Sequence, residues 1–295
     1  MVSPTPPWLL AFDDERRLAE ALARELGWPL HAIERHRFPD GETKLTLPSA
    51  LPERVVVLRG LHQPNAKLAE LLLAAPAARE LGASELTLVA PYLAYMRQDI
   101  AFHPGEAVSQ RHLGALLAQT FDAVVTIDPH LHRVHSLGEV LPGRRGVAVS
   151  AAPLLGAWVA RHVARPLLVG PDDESAQWVE QAARDAGLDW ALARKQRHGD
   201  RDVSVALPDA NYAGRAAVLI DDVASTGRTL AVAAMQLLER GAASVDVAVT
   251  HALFVGDALE QLRAAGVRHV WSTDSVPHET NVVSVAPLLA AALRS

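Results

Sequence analysis

The stretch Ala217-Val218-Leu219-Ile220-Asp221-Asp222-Val223-Ala224-Ser225-Thr226-Gly227-Arg228-Thr229-Leu230 carries the chain from one kind of structure to another. An apolar run typical of a buried strand ends in two carboxylates, and a loop of small and hydroxyl-bearing residues then leads into a segment of helical period. A strand that passes into a helix in this way is the basic unit of a parallel α/β sheet. The stretch therefore predicts an α/β fold with polar groups at a strand end.

The same alternation of strands and helices extends along the rest of the chain. Predicted strands lie at residues 55–58, 86–90, 123–127, 167–169, 190–193, 203–207, 216–220 and 245–249 and near Val270. Predicted helices lie at residues 15–26, 65–81, 109–119 and 229–240, from Leu154, and through Trp178. The first of these is expected to end at Gly27. The pattern indicates two tandem α/β units, each a mostly parallel sheet flanked by helices.

Composition limits the classes of function. The chain has 295 residues, of which 49% are hydrophobic, enough for one large core or two of ordinary size. It contains no cysteine, so disulfides, thiolate metal sites and cysteine nucleophiles are excluded. A net charge of −6 with scattered basic residues argues against nucleic acid as a partner. The sequence shows no signal peptide and no membrane span, so a cytoplasmic protein is expected.

The residues after the apolar run have the chemistry of a phosphate site. Backbone amides at the start of the helix, together with the hydroxyls of Ser225, Thr226 and Thr229, are suited to hold a phosphate dianion. Gly227 would allow close approach of the ligand. The alternative is an ordinary capped helix, because Ser and Thr are common at helix starts.

The two carboxylates complete the description of a sugar phosphate. Asp221 and Asp222 can accept hydrogen bonds from sugar hydroxyls at the end of the strand, as acidic residues do in other sheets. This stretch resembles the phosphoribosyl pyrophosphate-binding loop of type I phosphoribosyltransferases and of phosphoribosyl pyrophosphate synthases. It departs from the usual synthase pattern at Ser225 and Arg228, and Arg228 could add a charge-assisted contact with the phosphate.

Two earlier segments separate a synthase from a transferase. The chain has no G-x-x-x-x-G-K-[ST] motif, so ATP must be held in another way. The segments Arg37-Phe38-Pro39-Asp40-Gly41-Glu42 and Pro91-Tyr92-Leu93-Ala94-Tyr95-Met96-Arg97-Gln98-Asp99 resemble ATP-binding segments of ribose-phosphate pyrophosphokinases. Phe38 can stack on adenine, and Asp40 and Glu42 can accept from its amino group or from the ribose. Arg97 and Gln98 can reach the phosphates, and Asp99 is assigned to the same site.

Each of these residues also has a structural interpretation. Phe38 could belong to the core, Asp40 and Gly41 could form a hairpin turn, and Arg97 could be half of a surface ion pair. The residues that follow Asp99 look more like the short archaeal type of synthase than the common bacterial type.

Three further matches concern the metal and the catalytic residues. His130, in Thr126-Ile127-Asp128-Pro129-His130, resembles the family's contact with magnesium and ATP, and Asp172, in Gly170-Pro171-Asp172-Asp173, resembles its pyrophosphate and metal turn. Asp173 and Glu174 could instead be charges at a helix start. Lys195 and Arg197, in Ala193-Arg194-Lys195-Gln196-Arg197-His198-Gly199-Asp200, fall at the catalytic positions of the family's mobile segment, although a solvated basic loop would look similar. A zinc site made by His130, His132 and His135 is a less favoured alternative.

The resemblance implies a fold, a reaction and an assembly. The fold would be two tandem type I phosphoribosyltransferase-like domains, at residues 1–143 and 144–279, with residues 280–295 joining the first. The reaction would use Mg²⁺, ATP and ribose 5-phosphate to give phosphoribosyl pyrophosphate and AMP. The assembly would be a homo-oligomer in which Phe38, Asp40 and Glu42 complete a neighbouring subunit's site. The rivals are a transferase that consumes phosphoribosyl pyrophosphate and a non-catalytic regulatory homologue.

Overall fold

The computed structural model describes residues 5–197, 203–208 and 210–295, and the chain forms two compact units. Unit 1 comprises Met1–Val149 and Val285–Ser295, and unit 2 comprises Ser150–Ser284. Each unit has a parallel-dominated sheet flanked by helices, which confirms the predicted α/β class.

Unit 1 contains a sheet with the strand order β3-β2-β1-β4-β5-β6-β7 in its described residues. The pairs are parallel except for β2 with β3, which form an antiparallel hairpin. Its strands are β1 (Trp8–Phe12), β2 (Leu30–Arg37), β3 (Thr43–Thr46), β4 (Arg54–Leu58), β5 (Glu85–Ala90), β6 (Ala123–Ile127) and β7 (Arg145–Val149). Its helices are α1 (Arg16–Leu26), α2 (Pro64–Glu80), α3 (Ser109–Thr120) and the short α4 (Leu137–Val140).

Unit 2 contains a parallel sheet with the order β15-β14-β13-β12-β8-β9 in its described residues, and a separate antiparallel pair of β10 with β11. Its strands are β8 (Leu167–Gly170), β9 (Asp189–Leu192), β10 (Arg194–Arg197), β11 (Val203–Ala206), β12 (Ala216–Ala224), β13 (Ser244–Ala252), β14 (Val267–Thr273) and β15 (Asn281–Val283). Its helices are α5 (Ala152–His162), α6 (Ala176–Ala186), α7 (Arg228–Glu239) and α8 (Ala258–Ala264). The last helix, α9 (Ala286–Arg294), belongs to unit 1 and packs on α1.

The apolar run before Asp221 is buried on both faces of the sheet. Ala217 and Leu219 lie in a core formed with α7 and α8, whereas Val218 and Ile220 lie in a second core with α5 and α6. Successive strand residues point to opposite faces, so a strand covered by helices on both sides must be apolar throughout. This explains why the sequence shows a continuous apolar run here rather than an alternating one.

Most predicted elements are confirmed within a residue or two, but the first three strands were not predicted. The strand β2 is exposed along most of its length, with Ile33 buried among polar neighbours, so it lacks the apolar run of an interior strand. It pairs with β1 on one side and β3 on the other, and these pairings fix it in the sheet. Tertiary pairing here overrides weak local propensity.

The division between the units differs from the predicted boundaries. The segment after Gly143 reads as a turn in the sequence, yet Arg145 and Gly146 begin β7, which pairs in parallel with β6. The first unit therefore extends to Val149. At the other end, β15 pairs with β14 in unit 2, and the chain returns to unit 1 from Val285 onward.

The basic segment after β9 also differs from its prediction. Arg194–Arg197 was predicted to open a polar loop, but it forms β10, in which Lys195 pairs with Val205 and Arg197 with Val203. The segment has no β-branched residue, so its sequence gives no strand signal. His198, Gly199 and Asp200 lie outside the described residues.

No helix in the described ranges is long and apolar enough to cross a membrane.

Close packing of α5 on α6 generates the first prediction. A Cβ atom on Gly156 would lie 2.1 Å from the carbonyl oxygen of Ala182, which neither backbone can avoid without the helices separating. We expect Gly156→Ala to lower the free energy of unfolding by about 2–3 kcal/mol. Gly138→Ala is the control, because the nearest atom to its Cβ is the Ser136 hydroxyl oxygen at 3.8 Å. Urea unfolding should show Gly138→Ala within about 0.5 kcal/mol of wild type; an equally small effect of Gly156→Ala would contradict this packing.

Candidate active site

The carboxyl ends of β8 and β12 form the switch point of the unit 2 sheet. From this central pair, β9 lies on one side and β13 to β15 on the other, so the chain leaves the two strand ends in opposite directions. Crevices of this kind are where open α/β sheets bind ligands. Asp172 follows β8, while Asp221 and Asp222 lie in the last part of β12. The tertiary fold thus brings together groups that are about fifty residues apart along the chain.

The loop of residues 225–227 joins β12 to α7 in the conformation expected of an anion cradle. Gly227 has φ +70°, and its carbonyl oxygen accepts the first helical hydrogen bond, from the amide of Ala231 at 2.8 Å. A Cβ on Gly227 would meet no protein atom closer than 3.5 Å, so the left-handed backbone, rather than crowding by the protein, calls for glycine. The helix start that follows presents amides in the way that phosphate sites do.

The loop is supported from the neighbouring strand. The amide of Leu253, just after β13, donates to the carbonyl oxygen of Ala224 at 3.0 Å, and the amide of Val255 donates to that of Ser225 at 3.1 Å. Thr226 and Arg228 are exposed, whereas Thr229 is half-buried. The two backbone bonds hold the loop while its polar side chains remain accessible. Sequence reasoning missed this support because it comes from backbone groups, which leave no residue signature.

Asp221 and Asp222 are crowded together with Asp172. Asp222 is almost fully buried, and its amide donates to the Asp221 carboxylate at 3.0 Å. Burial, together with the neighbouring negative charges of Asp222 and Asp172, raises the pKa of Asp221 well above its ordinary value. Such an arrangement disfavours three simultaneous charges and favours a cation or hydroxyl donors as a partner. The sequence assigned Asp172 and Asp221 to separate sites and did not predict that they lie close together.

Asp172 also has a structural role. Its carboxylate accepts from the amides of Glu174 and Ser175, at 3.2 Å each, and so caps the turn that precedes α6. The side chain is buried, whereas Asp173 and Glu174 are exposed at this helix start. Asp173 and Glu174 are therefore placed as the helix N-terminal charges that the sequence allowed. Asp172 is the carboxylate of this turn that faces the switch point.

The first of the two ATP-like segments forms the tip of the β2–β3 hairpin. The amide of Phe38 donates to the carbonyl oxygen of Glu42 at 2.8 Å, the Glu42 amide donates to the Asp40 carboxylate at 3.1 Å, and Gly41 has φ +96°. Asp40 and Gly41 thus form the hairpin turn that the sequence allowed. Phe38, Asp40 and Glu42 are nevertheless exposed. Phe38 lies edge-on to His36 with ring centroids 4.7 Å apart and is not part of the core.

The second segment, residues 91–99, lies after β5 and alternates buried with accessible positions. Tyr95 has a left-handed backbone with φ +62°, and its hydroxyl bonds to Asn65. Arg97 is exposed, and Gln98 donates to the carbonyl oxygen of Ile100 at 2.9 Å. A positive φ in a tyrosine is rarely adopted without constraint from its surroundings, and such constraint is common at binding sites.

Asp99 differs from its neighbours because it is buried. Its carboxylate accepts from the guanidinium of Arg133 at 2.7 Å. The ion pair ties this segment to the one that follows β6, where His130 lies. The ion pair uses Oδ1 of Asp99, while Oδ2 has no hydrogen-bond partner among the described residues, and the predicted contact with ATP stays a prediction.

The histidines after β6 do not form the alternative zinc triad. The rings of His130 and His132 are in edge contact, with centroids 4.1 Å apart. His135 is exposed at the start of α4, where its amide donates to Glu139, and it joins no cluster of three metal-capable side chains in the described ranges. Asp128, to which the sequence analysis gave no role, is buried and has φ +35°. That strained position at the end of β6 marks it as a further site candidate.

Lys195 and Arg197 lie in β10, whose backbone pairs with that of β11. Their side chains lie outside what the structure describes. Their assigned roles therefore remain predictions.

Fold and site together define a class. Each unit is a phosphoribosyltransferase-type α/β domain, and unit 2 carries the 225–227 loop and an acidic pair at its switch point. Residues 8–120 match the family of the N-terminal domain of ribose phosphate pyrophosphokinase, and residues 156–287 match the phosphoribosyl transferase domain.

The chain belongs to the ribose-phosphate pyrophosphokinase family and is an enzyme of that family. It is 34% identical to the ribose-phosphate pyrophosphokinase of Methanopyrus kandleri, over 97% of this chain and 98% of the relative. It is 36% identical to that of Halobacterium salinarum, over 97% of this chain and all of the relative. The phosphoribosylpyrophosphate synthetase of Mycobacterium smegmatis superposes with a TM-score of 0.83 at 26% identity, covering 98% of both chains. Similarity to archaeal relatives agrees with the archaeal character of the segment after Asp99.

The carboxylate cluster leads to a prediction about stability. Because the pKa of Asp221 is raised in the folded state, wild type loses stability as the pH rises through that pKa, and below pH 3.8 the loss is absent. We expect Asp221→Asn, without ligands or divalent cations, to raise the thermal midpoint by roughly 2–4 °C at pH 8 and by less at pH 5. Asp173→Asn, at an exposed position of the same edge, should leave the midpoint nearly unchanged. A lower midpoint for Asp221→Asn would show that the carboxylate is stabilising.

Proposed function

We propose that the enzyme transfers the pyrophosphoryl group of Mg-ATP to the 1-hydroxyl of ribose 5-phosphate, giving phosphoribosyl pyrophosphate and AMP. The hydroxyl oxygen attacks the β-phosphorus, the bond from that phosphorus to the oxygen of the α-phosphate breaks, and the hydroxyl proton is released. Membership of the family supports this reaction. The single observation that carries the proposal is the cluster of Asp172, Asp221 and Asp222 beside the 225–227 loop.

Unit 2 is the proposed ribose 5-phosphate side. The amides at the start of α7, with Ser225, Thr226, Gly227 and Thr229, would hold the 5-phosphate. Asp221 and Asp222 would accept hydrogen bonds from the ribose hydroxyls. Arg228, exposed at the first helical position, is suited to a charge-assisted contact with the same phosphate.

Unit 1 is the proposed ATP side. Phe38 offers an exposed aromatic face for adenine, and Asp40 and Glu42 offer carboxylates beside it at the hairpin tip. Arg97 and Gln98 would contact the phosphates, while Asp99, through Arg133, would hold that segment in place.

The residues present fit a magnesium ion. Buried or half-buried carboxylates that repel one another at Asp172 and Asp221 are the oxygen donors that Mg²⁺ prefers. Asp172 and His130 are the proposed metal contacts. When bound, the ion would neutralise charge on the transferring phosphates.

Lys195 and Arg197 are the proposed catalytic residues. The transferring group spreads negative charge over its equatorial oxygens, so cations that approach during the reaction stabilise the transition state more than the bound substrates. The segment that carries both residues is a short hairpin strand separate from the main sheet. That separation is compatible with movement during the catalytic cycle.

The proposed assembly is a homo-oligomer. In it, the hairpin tip with Phe38, Asp40 and Glu42 completes the ATP site of a neighbouring subunit. The exposure of all three residues in the single chain supports this arrangement.

The reaction is tested directly by incubating the protein with ATP, ribose 5-phosphate and Mg²⁺. AMP and phosphoribosyl pyrophosphate should appear in equal amounts. Formation of ADP, or no AMP at all, would contradict the proposal. A transferase would instead consume added phosphoribosyl pyrophosphate in the presence of a base, and a regulatory homologue would do neither.

The catalytic assignment predicts a loss of rate rather than of binding. We expect Lys195→Ala to lower kcat by ~10³-fold or more, by analogy with catalytic cations in phosphoryl transfer. KM for each substrate should change much less, because the cation acts mainly in the transition state. Arg197→Ala should act in the same direction, and the double variant should lose less than the sum. The control is Arg194→Ala, an exposed basic residue of the same strand, which should retain near-full kcat. A folded Lys195→Ala enzyme with wild-type kcat would refute the assignment.

The shared site predicts complementation between variants. Phe38→Ala should raise KM for ATP roughly tenfold through loss of stacking, with little change for ribose 5-phosphate. Mixing Phe38→Ala with Lys195→Ala subunits, after exchange, should restore part of the activity, because some sites receive both intact residues. Each variant incubated alone is the control. Absence of recovery in mixtures shown to exchange would indicate a site built within one chain.

A further inference from the structure

Unit 1 has a switch point of its own, built from the same elements as that of unit 2. Its central pair is β1 and β4, with β2 on one side and β5 to β7 on the other. In each unit the first strand of the pair is followed by a three-residue 3-10 turn, an eleven-residue helix and a glycine with φ near +70°. The second strand of the pair leads through a short loop into a longer helix, α2 in unit 1 and α7 in unit 2.

The loop after β4 therefore occupies the position that the phosphate loop holds in unit 2. It begins with Arg59 and Gly60, and α2 contributes Lys67. The guanidinium of Arg59 is fully buried, and Lys67 is 7% exposed. Two cations are rarely buried this deeply without an anion as partner.

The anion at this position is the side chain of Glu15, from the turn after β1. Its Oε1 accepts from the Gly60 amide at 3.0 Å and lies 3.5 Å from the Lys67 ammonium and 3.6 Å from the Arg59 guanidinium. Glu15 is itself 2% exposed. A loop amide, an ammonium and a guanidinium converging on one oxyanion are the donors that phosphate sites use.

Gly60 shows how closely the carboxylate approaches the loop. A Cβ at this position would lie 3.2 Å from Glu15 Oε1 and 3.5 Å from Oε2. A side chain at position 60 would therefore crowd the oxyanion, and glycine leaves room for its approach to the loop backbone.

Further charged groups surround this position. Burial and the neighbouring Lys67 lower the pKa of His62 to about 4. Glu70 pairs with Arg59 and with Arg35, and Asp14 pairs with Arg59 at 2.7 Å. The Nε of Arg59 has no hydrogen-bond partner among the described residues, so these carboxylates do not saturate the guanidinium.

We propose that the unit 1 switch point is an oxyanion site whose permanent ligand is the Glu15 carboxylate. The side chain stands at the place in unit 1 that corresponds to the proposed phosphate-binding loop of unit 2, so it keeps free phosphate out of this one position. Removing the carboxylate turns the position into a binding site for inorganic phosphate. The comparison rests on the proposed phosphate-binding loop of unit 2, whereas the test measures phosphate binding at the unit 1 position and requires no catalytic activity.

The test compares wild type, Glu15→Ala and the double variant Glu15→Ala/Lys67→Met by thermal unfolding. Each is measured in sodium chloride and in sodium phosphate at equal ionic strength and pH. Any stabilisation through the phosphate loop of unit 2 is common to all three and is removed by comparison with wild type. Glu15→Ser, whose hydroxyl can still accept from the Gly60 amide, serves as a second variant in case Glu15→Ala does not fold.

In chloride, Glu15→Ala should unfold roughly 10 °C below wild type, because Lys67 and Arg59 lose a buried counter-charge. Phosphate should raise its midpoint by roughly 3 °C more than it raises that of wild type. This excess should vanish in the double variant, which lacks the ammonium. Equal phosphate shifts in wild type and both single variants would overturn the proposal, as would an excess that survives Lys67→Met.

Discussion

A strand that is covered by helices on both faces can carry charged groups only near its ends, and this constraint governs where the molecule's chemistry lies. In β12 the residues from Ala217 to Ile220 alternate between two apolar cores, and polarity begins only at Asp221. Burial of a charge within the run would require a partner on a face that is already filled with side chains. Parallel strands have their carboxyl ends at the same edge, so the polar groups of several strands collect there.

Gathering these carboxylates at one edge of the sheet costs electrostatic free energy. Burial, together with the charges of Asp222 and Asp172, raises the pKa of Asp221 well above its ordinary value. Functional sites commonly hold like charges in this way, because the groups are arranged for a ligand rather than for the empty protein. The fold maintains the arrangement through backbone bonds from the β13 loop and through the capping role of Asp172, neither of which requires the ligand.

The two units place different charged residues at the carboxyl ends of their central strands. Both have a strand, a 3-10 turn and a helix beside a second strand and loop. The edge of unit 2 gathers the carboxylates of Asp172, Asp221 and Asp222, whereas that of unit 1 pairs Arg59 and Lys67 with Glu15 and Glu70. The exposed groups of unit 1, at the β2–β3 hairpin and in residues 91–98, lie on loops that the sheet supports.

The sequence by itself determined the α/β class, most interior strands and helices, and the family, because buried parallel strands and their connecting loops leave continuous local patterns. It also singled out Asp221, Asp222 and the 225–227 loop as candidate site residues, because they are contiguous in the chain. It did not reveal β2, β7 or β10, since each is fixed by pairing with a neighbour rather than by its own composition. Only the tertiary structure decided that Asp99 is buried against Arg133, that Asp172 adjoins Asp221, and that Glu15 meets Lys67. These are contacts between residues distant in sequence, and their energies depend on a burial and a geometry that no local pattern encodes.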